Sequence, residues 1–469
     1  MEKVRATSGV RLPAKATIWN IFSAALARGV GAIGTPIFTR LLAPSEYGLY
    51  PLYTTWLGVV SALATLGLAG GVIYRGLQRY DSERGRFISS AMGLFFTIFL
   101  TLGSLIMLLS GVIERVTGLS PLILAMLLSE VLFSTIIAFS SARARYEYKY
   151  RSQAAINIIS ALGSPLIAIL LILYTPYHSE ARILGSIITS LFIALPQLYL
   201  MLARCEKLYD REIWGYLLKM ALPFLPHLIS SSLIVRVGEM VIARSHGDGA
   251  LGKYSVAMSL GLALSIISGG VGQVLSPWLL RKLGQGRFDT VREVVGSAIR
   301  VMAIGGVLLS LIAPELMIIL TPPEYRDVLP AVYPLIIASI FFFISQTAMS
   351  AEMYYERPMR AAFPTVLVAF VTVATAILFI PEMDYRLTSL ITLGAYIMTT
   401  LLNLANFKSV SGEKMLHGLP LVRDLLFLVV FVTISFFFRD VWLSRLLFAL
   451  ALLPVVINNG YQVYKIIKE

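Results

Sequence analysis

The sequence predicts an all-α polytopic membrane protein, and its composition and the length of its apolar stretches carry this prediction. Apolar side chains make up 57% of the 469 residues, and only 14% of the residues are charged. Soluble chains are about 25% charged, so this chain has too few polar groups to cover a globule in water. The apolar residues fall in stretches of roughly 20, the length that crosses a bilayer. A soluble enzyme, a disordered chain and a nucleic-acid-binding module are therefore excluded.

About fourteen stretches have the length and composition of membrane-spanning helices. They lie near 17–41, 48–74, 87–110, 119–140, 154–175, 182–203, 216–243, 252–279, 293–320, 328–351, 361–381, 387–407, 419–438 and 444–463. The connections between them are short, so we predict no sizeable soluble domain on either side of the membrane.

The distribution of Lys and Arg predicts the orientation, because these residues resist translocation across the membrane. With the N-terminus placed in the cytoplasm, most of the 39 Lys and Arg residues fall in cytoplasmic tails and loops. The net charge of +13 also falls on that side. We predict a multi-pass plasma-membrane protein with both termini in the cytoplasm. The basic excess then indicates contact with anionic lipid headgroups and not a nucleic-acid partner.

Two short patterns recur and indicate an internal repeat of six spans. The pattern over residues 141–151 returns over 350–360 with the same internal spacing. A Gly-x-Tyr pattern that follows an arginine also returns 204 positions later, as Arg40, Gly48 and Tyr50 in the first copy and Arg244, Gly252 and Tyr254 in the second. Each pair occupies the same position in the series of spans.

The repeat predicts two parallel six-helix lobes with two helices appended. The predicted boundaries are 1–212 for the N-terminal lobe, 213–410 for the C-terminal lobe and 411–469 for the appended spans. Transporters with such repeats hold their substrate between the lobes and rock one lobe against the other. The repeat therefore favours transport over catalysis.

Few ionisable residues lie inside the predicted spans, and each is costly there unless it faces a cavity or a partner. Arg28 and Arg236 fall in the first helix of each lobe, where two guanidinium groups would suit a phosphate or pyrophosphate. Arg236 has an alternative, because Glu239 lies one helical turn away and the two can form an ion pair. Glu130 is a candidate coupling site, or else a neutral carboxyl hydrogen-bonded to Ser129 or Ser134.

Several functional patterns are absent from the sequence. No nucleotide-binding motif, nucleophile elbow or metal-ligand spacing is present, and the chain has one cysteine, Cys205. We therefore predict no cofactor, no metal site and no enzyme activity.

Two segments resemble the signatures of polysaccharide flippases. Residues 19–50 contain Trp-Asn and then Pro-Ile-Phe-Thr-Arg-Leu-Leu-Ala-Pro-Ser-Glu-Tyr-Gly-Leu-Tyr, similar to the N-terminal signature of that family. Residues 221–277 resemble the start of its second half. This family belongs to the multidrug/oligosaccharidyl-lipid/polysaccharide exporter superfamily.

The resemblance implies alternating access and flipping of a polyprenyl-(pyro)phosphate-linked oligosaccharide out of the cytoplasmic leaflet. It places Arg28 and Arg236 in helices expected to bind the lipid phosphate. Arg40 and Glu46 match motif positions at the outer end of the first span, where an ion pair would close that end. Glu130 and Glu239 are candidates for coupling or gating. The partners implied are the lipid-linked oligosaccharide and membrane lipids, and a monomer is expected.

Two other functions stay open. A cation-coupled multidrug antiporter of the same superfamily is the main alternative, although cationic drugs would require carboxylates where this chain places arginines. A membrane glycosyltransferase would require catalytic groups in substantial loops, and none is evident. The glycan, the carrier lipid and the coupling ion do not follow from the sequence.

Overall fold

The computed structural model describes residues 34–68, 72–147, 150–203, 205–355, 358–441 and 445, and their regular structure is helical throughout, without a strand. Residues 34–41 form a helical segment ahead of the first fully described helix. The α-helices that follow are α1 (Pro44–Thr65), α2 (Ile73–Arg79), α3 (Arg84–Leu108), α4 (Ser110–Thr117), α5 (Pro121–Tyr146), α6 (Tyr150–Tyr174), α7 (Ala181–Leu202), α8 (Arg211–Ala221), α9 (Leu225–Gly261), α10 (Leu264–Gly284), α11 (Phe288–Leu320), α12 (Leu329–Glu352), α13 (Pro358–Phe379), α14 (Thr388–Ser411) and α15 (Gly418–Phe437).

Ten helical segments in the described residues are long and apolar enough to cross a membrane. They include the predicted spans near 87–110, 154–175 and 328–351, so the prediction of an all-α polytopic fold is confirmed. Most of the predicted span 17–41 and nearly all of 444–463 lie outside the described residues. The count of fourteen therefore stays a prediction.

The outward-facing surfaces of these helices are apolar, as a bilayer requires. Leu108 of α3 is 82% exposed, Phe370 of α13 is 75% exposed, and Leu419 of α15 is 86% exposed. Soluble monomers rarely expose large contiguous apolar surfaces. Lipid tails cover such a surface without cost, so the exposed apolar residues fit a multi-pass membrane protein.

Two of the predicted spans are interrupted helices. In the predicted span 48–74, the first helix ends at Thr65. The next two residues, Leu66 and Gly67, have positive φ angles of 48° and 68°. The predicted span 252–279 is divided between the end of α9 and the start of α10. Broken helices at membrane depth are tolerated where the freed backbone groups line a cavity or are buried in protein.

Helix α9 has two arms joined at Gly247, and these arms hold the second copy of the repeated Gly-x-Tyr pattern. Gly247 has φ 84° and ψ 171°, which is non-helical backbone that a glycine adopts without steric cost. The first arm carries Arg236 and Glu239, and the second arm packs beside α1. The turn therefore places both arms of α9 along the N-terminal half of the chain.

The connection between the two halves of the chain is fastened to α3 by Asp210. Its carboxylate accepts hydrogen bonds from the backbone N–H groups of Glu212 and Ile213 at the start of α8. The other carboxylate oxygen accepts from Arg86 Nε and Nη2 at 2.9 and 2.6 Å. The Arg86 hydrogen bonds hold the pKa of the Asp210 carboxyl below its ordinary value.

We expect Asp210→Asn to lower the thermal unfolding midpoint of the detergent-solubilised protein at pH 7. The lowered pKa of Asp210 means that its stabilising contribution is complete at neutral pH and is lost as the pH falls through that lowered value. The difference between wild type and Asp210→Asn should therefore shrink in strong acid. Asp289→Asn is the matched control, because Asp289 is 91% exposed and pairs with Arg292 of its own helix. Equal midpoints for Asp210→Asn and wild type at pH 7 would contradict this role.

Candidate functional site

A cavity of about 740 Å³ lies between the N-terminal and C-terminal halves of the chain. Its walls come from α1, the start of α7, both arms of α9, the 262–265 segment and the end of α11. Charged residues lining it in the described part of the chain are Arg182, Arg236 and Glu239. The cavity thus lies where the repeat predicts a substrate site, and its charged side chains sum to +1.

Arg236 combines the two roles that the sequence left open. It lines the cavity with 35% of its side chain exposed, and its Nη1 lies 3.4 Å from Glu239 Oε2. The same nitrogen lies 3.5 Å from the hydroxyls of Thr54 and Thr55 on α1. These contacts are at the long limit of a hydrogen bond, so they are weak. They orient the guanidinium, which also lines the cavity.

Glu239 forms a contact between the two halves of the chain. Its carboxylate is 7% exposed and accepts a hydrogen bond from Thr55 Oγ1 at 2.9 Å. Thr55 is on α1 and Glu239 is on α9, so this bond crosses between the halves. Movement of α9 away from α1 would have to break it.

Glu130 is buried, as predicted, but its partners differ from those expected. Tyr53 of α1 donates to one carboxylate oxygen at 2.6 Å, and Ser186 of α7 donates to the other. Ser129 and Ser134 donate to backbone carbonyls of their own helix instead. Sequence reasoning considered only neighbours on the same helix, whereas tertiary packing supplies both donors.

Arg28, the other predicted substrate-binding residue, lies outside the described residues. Its role in binding the lipid phosphate stays a prediction.

Arg182 is a cavity residue that sequence reasoning missed. It is the second residue of α7, a position where a long basic side chain is expected to reach toward the headgroup layer. In the structure its guanidinium carbon instead lies over three aromatic rings, 4.0 Å from the centroid of Tyr50, 4.5 Å from that of Phe38 and 4.8 Å from that of Tyr47. The tyrosines Tyr47 and Tyr50, at the first copy of the repeated pattern, were the sequence signal for this position, because aromatic rings hold an arginine by cation–π contacts.

The guanidinium of Arg182 has no carboxylate partner in the described part of the chain. Its Nη1 is buried and makes no hydrogen bond. A buried donor without a partner is destabilising by about 1–3 kcal/mol. Arg182 also lines the cavity, so an acceptor there that reached this nitrogen would recover that energy.

One end of the cavity is closed by a symmetric contact between the two copies of the Gly-x-Tyr pattern. A Cβ atom at Gly48 would lie 2.0 Å from the carbonyl oxygen of Asp248. A Cβ atom at Gly252 would lie 2.1 Å from the carbonyl oxygen of Pro44. Both pairs are related by the 204-residue offset of the repeat. The two glycines therefore let α1 and α9 approach backbone to backbone at this end, which we call the outer end because the loop charges predict that it faces the exterior.

Two repeat-related arginines add a second symmetric pair of contacts at the outer end. Arg40 Nη2 donates to the carbonyl of Ile319 at 2.5 Å, and Arg244 Nη1 donates to the carbonyl of Arg115 at 2.6 Å. Each arginine thus reaches from its own half of the chain to the other half. The donors and the acceptors are both related by the same 204-residue offset.

Arg40 and Glu46 do not form the ion pair that the family resemblance suggested. Arg40 is occupied by the carbonyls of Pro36 and Ile319. Glu46 instead accepts a hydrogen bond from the backbone N–H of Ala43 at 2.9 Å, where it helps to start α1. Both residues lie at the outer end, where Arg40 joins the two halves through the carbonyl of Ile319.

The helical architecture around this cavity is similar to that of several solved transporters. A structure of the lipid II flippase MurJ in an inward closed conformation is similar with a TM-score of 0.64 and 14% identity, over 91% of this chain and 99% of that chain. A structure of an inward-facing multidrug resistance MATE family transporter is similar with a TM-score of 0.60 and 13% identity, over 86% of this chain and 94% of that chain. A structure of a MOP superfamily transporter from Pyrococcus furiosus has a TM-score of 0.59 and 14% identity, over 90% of this chain and 99% of that chain. At these identities the similarity establishes the fold.

Residues 14–282, more than half of the chain, match the model of a family described as polysaccharide biosynthesis protein. The chain belongs to this family. No curated protein matches the chain by sequence. The family match confirms the resemblance noted from the sequence, and the fold is one that solved transporters also have.

We expect Gly252→Ala to open the outer end of the cavity, because the added Cβ would overlap the carbonyl of Pro44. Overpacking costs about 1–3 kcal/mol. That energy corresponds to a roughly fivefold to 150-fold shift toward conformations in which this contact is broken. The measurement is the labelling rate of Thr54→Cys, in a Cys205→Ser background, by a membrane-impermeant thiol reagent added from outside.

Gly58→Ala is the control for this substitution, because Gly58 also lies on α1 and a Cβ there meets nothing within 4 Å. It should label at the rate of the parent. If Gly252→Ala also labels at that rate, the glycine contact does not close the cavity.

Proposed function

We propose that this protein is a flippase that moves a polyprenyl-(pyro)phosphate-linked oligosaccharide from the cytoplasmic to the external leaflet by alternating access. The product would supply cell-surface polysaccharide or glycan assembly. Membership of a polysaccharide biosynthesis family and a fold shared with a lipid II flippase support this choice. The observation that carries it is the cavity arginine Arg182, which has no carboxylate partner among the described residues.

Arg182 suits a phosphate because its position is fixed while its hydrogen-bonding capacity is unused. The rings of Phe38, Tyr47 and Tyr50 restrict the guanidinium, so little side-chain entropy remains to be lost on binding. The guanidinium of arginine stays charged at any physiological pH and can donate two parallel hydrogen bonds to the oxygens of one phosphate. Arg236, which also lines the cavity, would add a second contact, and Arg28 is predicted to add a third.

The contacts at the outer end support alternating access as the mechanism. The Gly48–Asp248 and Gly252–Pro44 approaches and the Arg40 and Arg244 hydrogen bonds all join the two halves. Opening to the exterior would break this set together. We propose that the halves 1–212 and 213–410 move as the two lobes, that 411–469 is appended to them, and that Arg40, Glu46, Glu130 and Glu239 act in gating or coupling.

We further propose that the protein acts in the plasma membrane as a monomer with both termini in the cytoplasm. The positive charge of the loops predicted to be cytoplasmic supports this orientation. A single chain already contains both halves of the cavity, so no second copy is needed to complete the site.

The cavity chemistry disfavours the multidrug antiporter. A cationic drug requires an available carboxylate, but Glu239 is already bound by Thr55 and Arg236. Arg182 would in addition repel a cationic substrate. The two arginines suit the phosphate of a lipid-linked oligosaccharide instead.

The test of this function is flipping of a fluorescent polyprenyl-pyrophosphate oligosaccharide in proteoliposomes. We expect wild type to flip the lipid and Arg182→Gln to require a roughly tenfold to hundredfold higher substrate concentration, because a charge-assisted hydrogen bond contributes about 1.5–3 kcal/mol. Arg182→Lys should lie between them, since lysine keeps the charge and loses the planar stacking.

Arg151→Gln is the matched control, because Arg151 is an exposed arginine of α6 that does not line the cavity. It should flip like wild type when folding and reconstitution are equal. Unchanged flipping by Arg182→Gln would remove the observation on which the proposal depends. Transport of a fluorescent organic cation, and not of the lipid, would favour the antiporter instead.

A further inference from the structure

A second cavity, of about 540 Å³, lies between the start of α11 and the start of α15. Among the described residues it shares no lining residue with the central cavity. The connections that precede these two helices are both predicted to be cytoplasmic from the order of the spans. On that orientation, the second cavity lies at the cytoplasmic boundary of the membrane.

Charged groups of both signs line the second cavity. Its lining includes three carboxylates and two guanidinium groups, those of Asp289, Glu293, Asp424, Arg292 and Arg300. With His417 neutral, the lining carries one net negative charge. A ligand with only negative charges would on balance be repelled, whereas a ligand with one positive and one negative group is complementary.

Several of these groups already have partners. Arg292 donates from Nη1 to Asp289 at 2.7 Å and from Nη2 to Glu413 at 2.5 Å. The carboxylate of Asp424 accepts hydrogen bonds from Arg423, its neighbour on α15, at 3.0 and 3.1 Å. These paired groups form the walls of the cavity and have little capacity left for a ligand.

Two side chains of α11 retain unused capacity. Arg300 donates to Asp424 from Nε alone, at 3.2 Å, and its two Nη groups make no hydrogen bond within the described part of the chain. The Arg300 side chain is 27% exposed. Glu293 is exposed and forms no salt bridge with any described residue. One positive and one negative group are therefore available to a ligand.

The two available groups lie in the order in which a phospholipid headgroup presents its charges. Glu293 and Arg300 are separated by two helical turns, about 10 Å along the axis, and both side chains line the cavity. Because α11 begins at Phe288, Arg300 is the deeper of the two on the predicted orientation. In a phospholipid the phosphate is attached to the glycerol and the amine is the terminal group. The deeper guanidinium therefore matches the phosphate, and the outer carboxylate matches the amine.

We propose that the second cavity binds a phospholipid whose headgroup carries a phosphate and a primary amine, as phosphatidylethanolamine does. Arg300 would donate to the phosphate from its Nη groups, and Glu293 would accept hydrogen bonds from the ammonium. The quaternary amine of phosphatidylcholine fits less well, because it has no N–H group and is typically recognised by aromatic rings. The described lining residues include no Phe, Tyr or Trp.

Apolar surface for the acyl chains adjoins the cavity. Val301 of α11, and Leu419 and Val422 of α15, are exposed apolar residues that are next in sequence or close to lining residues. A soluble compound with the same two charges would leave this surface without a contact, so the site favours a lipid. Lipid binding here does not depend on the proposed function and is tested without a transport substrate.

The test is the thermal unfolding of the detergent-solubilised protein titrated with phospholipids that share the same acyl chains. The headgroups compared are phosphatidylethanolamine, phosphatidylcholine and phosphatidylglycerol. We expect phosphatidylethanolamine to raise the midpoint of wild type at about tenfold lower concentration than the other two, because only this headgroup can form charged hydrogen bonds with both Arg300 and Glu293.

Two variants separate the two contacts. Glu293→Gln should remove the difference between phosphatidylethanolamine and phosphatidylcholine, because its neutral amide no longer attracts the ammonium. Arg300→Gln should weaken the response to both lipids by about tenfold, because both carry the phosphate. Glu206→Gln is the control, since Glu206 is an exposed carboxylate of another connection predicted to be cytoplasmic and does not line the cavity. It should rank the lipids as wild type does.

Equal responses of wild type to the three headgroups would overturn the proposal, and so would a preference for phosphatidylglycerol. If Arg300→Gln does not fold, Glu293→Gln decides the question, and a Glu293→Gln protein that still prefers phosphatidylethanolamine to phosphatidylcholine contradicts the assignment. Glycerophosphoethanolamine, the same headgroup without acyl chains, should act only at far higher concentration. Equal potency of this soluble compound would refute a lipid site.

Discussion

The close approach of α1 and α9 at the outer end is the constraint on which the rest of this structure depends. Two backbones can come this near only where a side chain is missing, and Gly48 and Gly252 provide that. Once the helices are fixed there, Thr55 reaches Glu239 and Arg236 turns toward the cavity. The same approach puts Tyr47 and Tyr50 of α1 under the guanidinium of Arg182. The binding surface is therefore a consequence of how tightly one end is packed.

Helix α1 distributes polar contacts in two directions across the membrane interior. Tyr53 donates a hydrogen bond to Glu130 within the N-terminal half, and Thr55 donates one to Glu239 across the interface. Hydroxyl donors contact both carboxylates, and Arg236 also lies 3.4 Å from Glu239, so neither acid is left without a polar partner in an apolar medium. One oxygen of Glu352 is buried without a hydrogen-bond partner, whereas both oxygens of Glu130 accept hydrogen bonds.

The sequence predicted the features that depend on composition and spacing, and it missed those that depend on packing between distant segments. The helical class, most spans and the repeated Gly-x-Tyr pattern follow from apolar run length and local similarity. Arg182 was missed because its place near the start of a span is that of an ordinary interfacial arginine, and only the fold brings Phe38 over it. The donors to Glu130 were missed for the same reason. The break at Leu66 has no strong local signal beyond the glycine that follows it.

The reciprocal contacts at the outer end have the form of an isologous interface, in which one patch meets its own copy about a twofold axis. Gly48 meets Asp248 as Gly252 meets Pro44, and Arg40 reaches Ile319 as Arg244 reaches Arg115. A pair of identical six-helix subunits would make this same set of contacts. The covalent connection through Asp210 and α8 turns such a dimer into one chain, and it leaves each half free to diverge. Glu352 reflects that divergence, since the repeat of residues 141–151 in 350–360 puts Arg143 at the corresponding place in the first half.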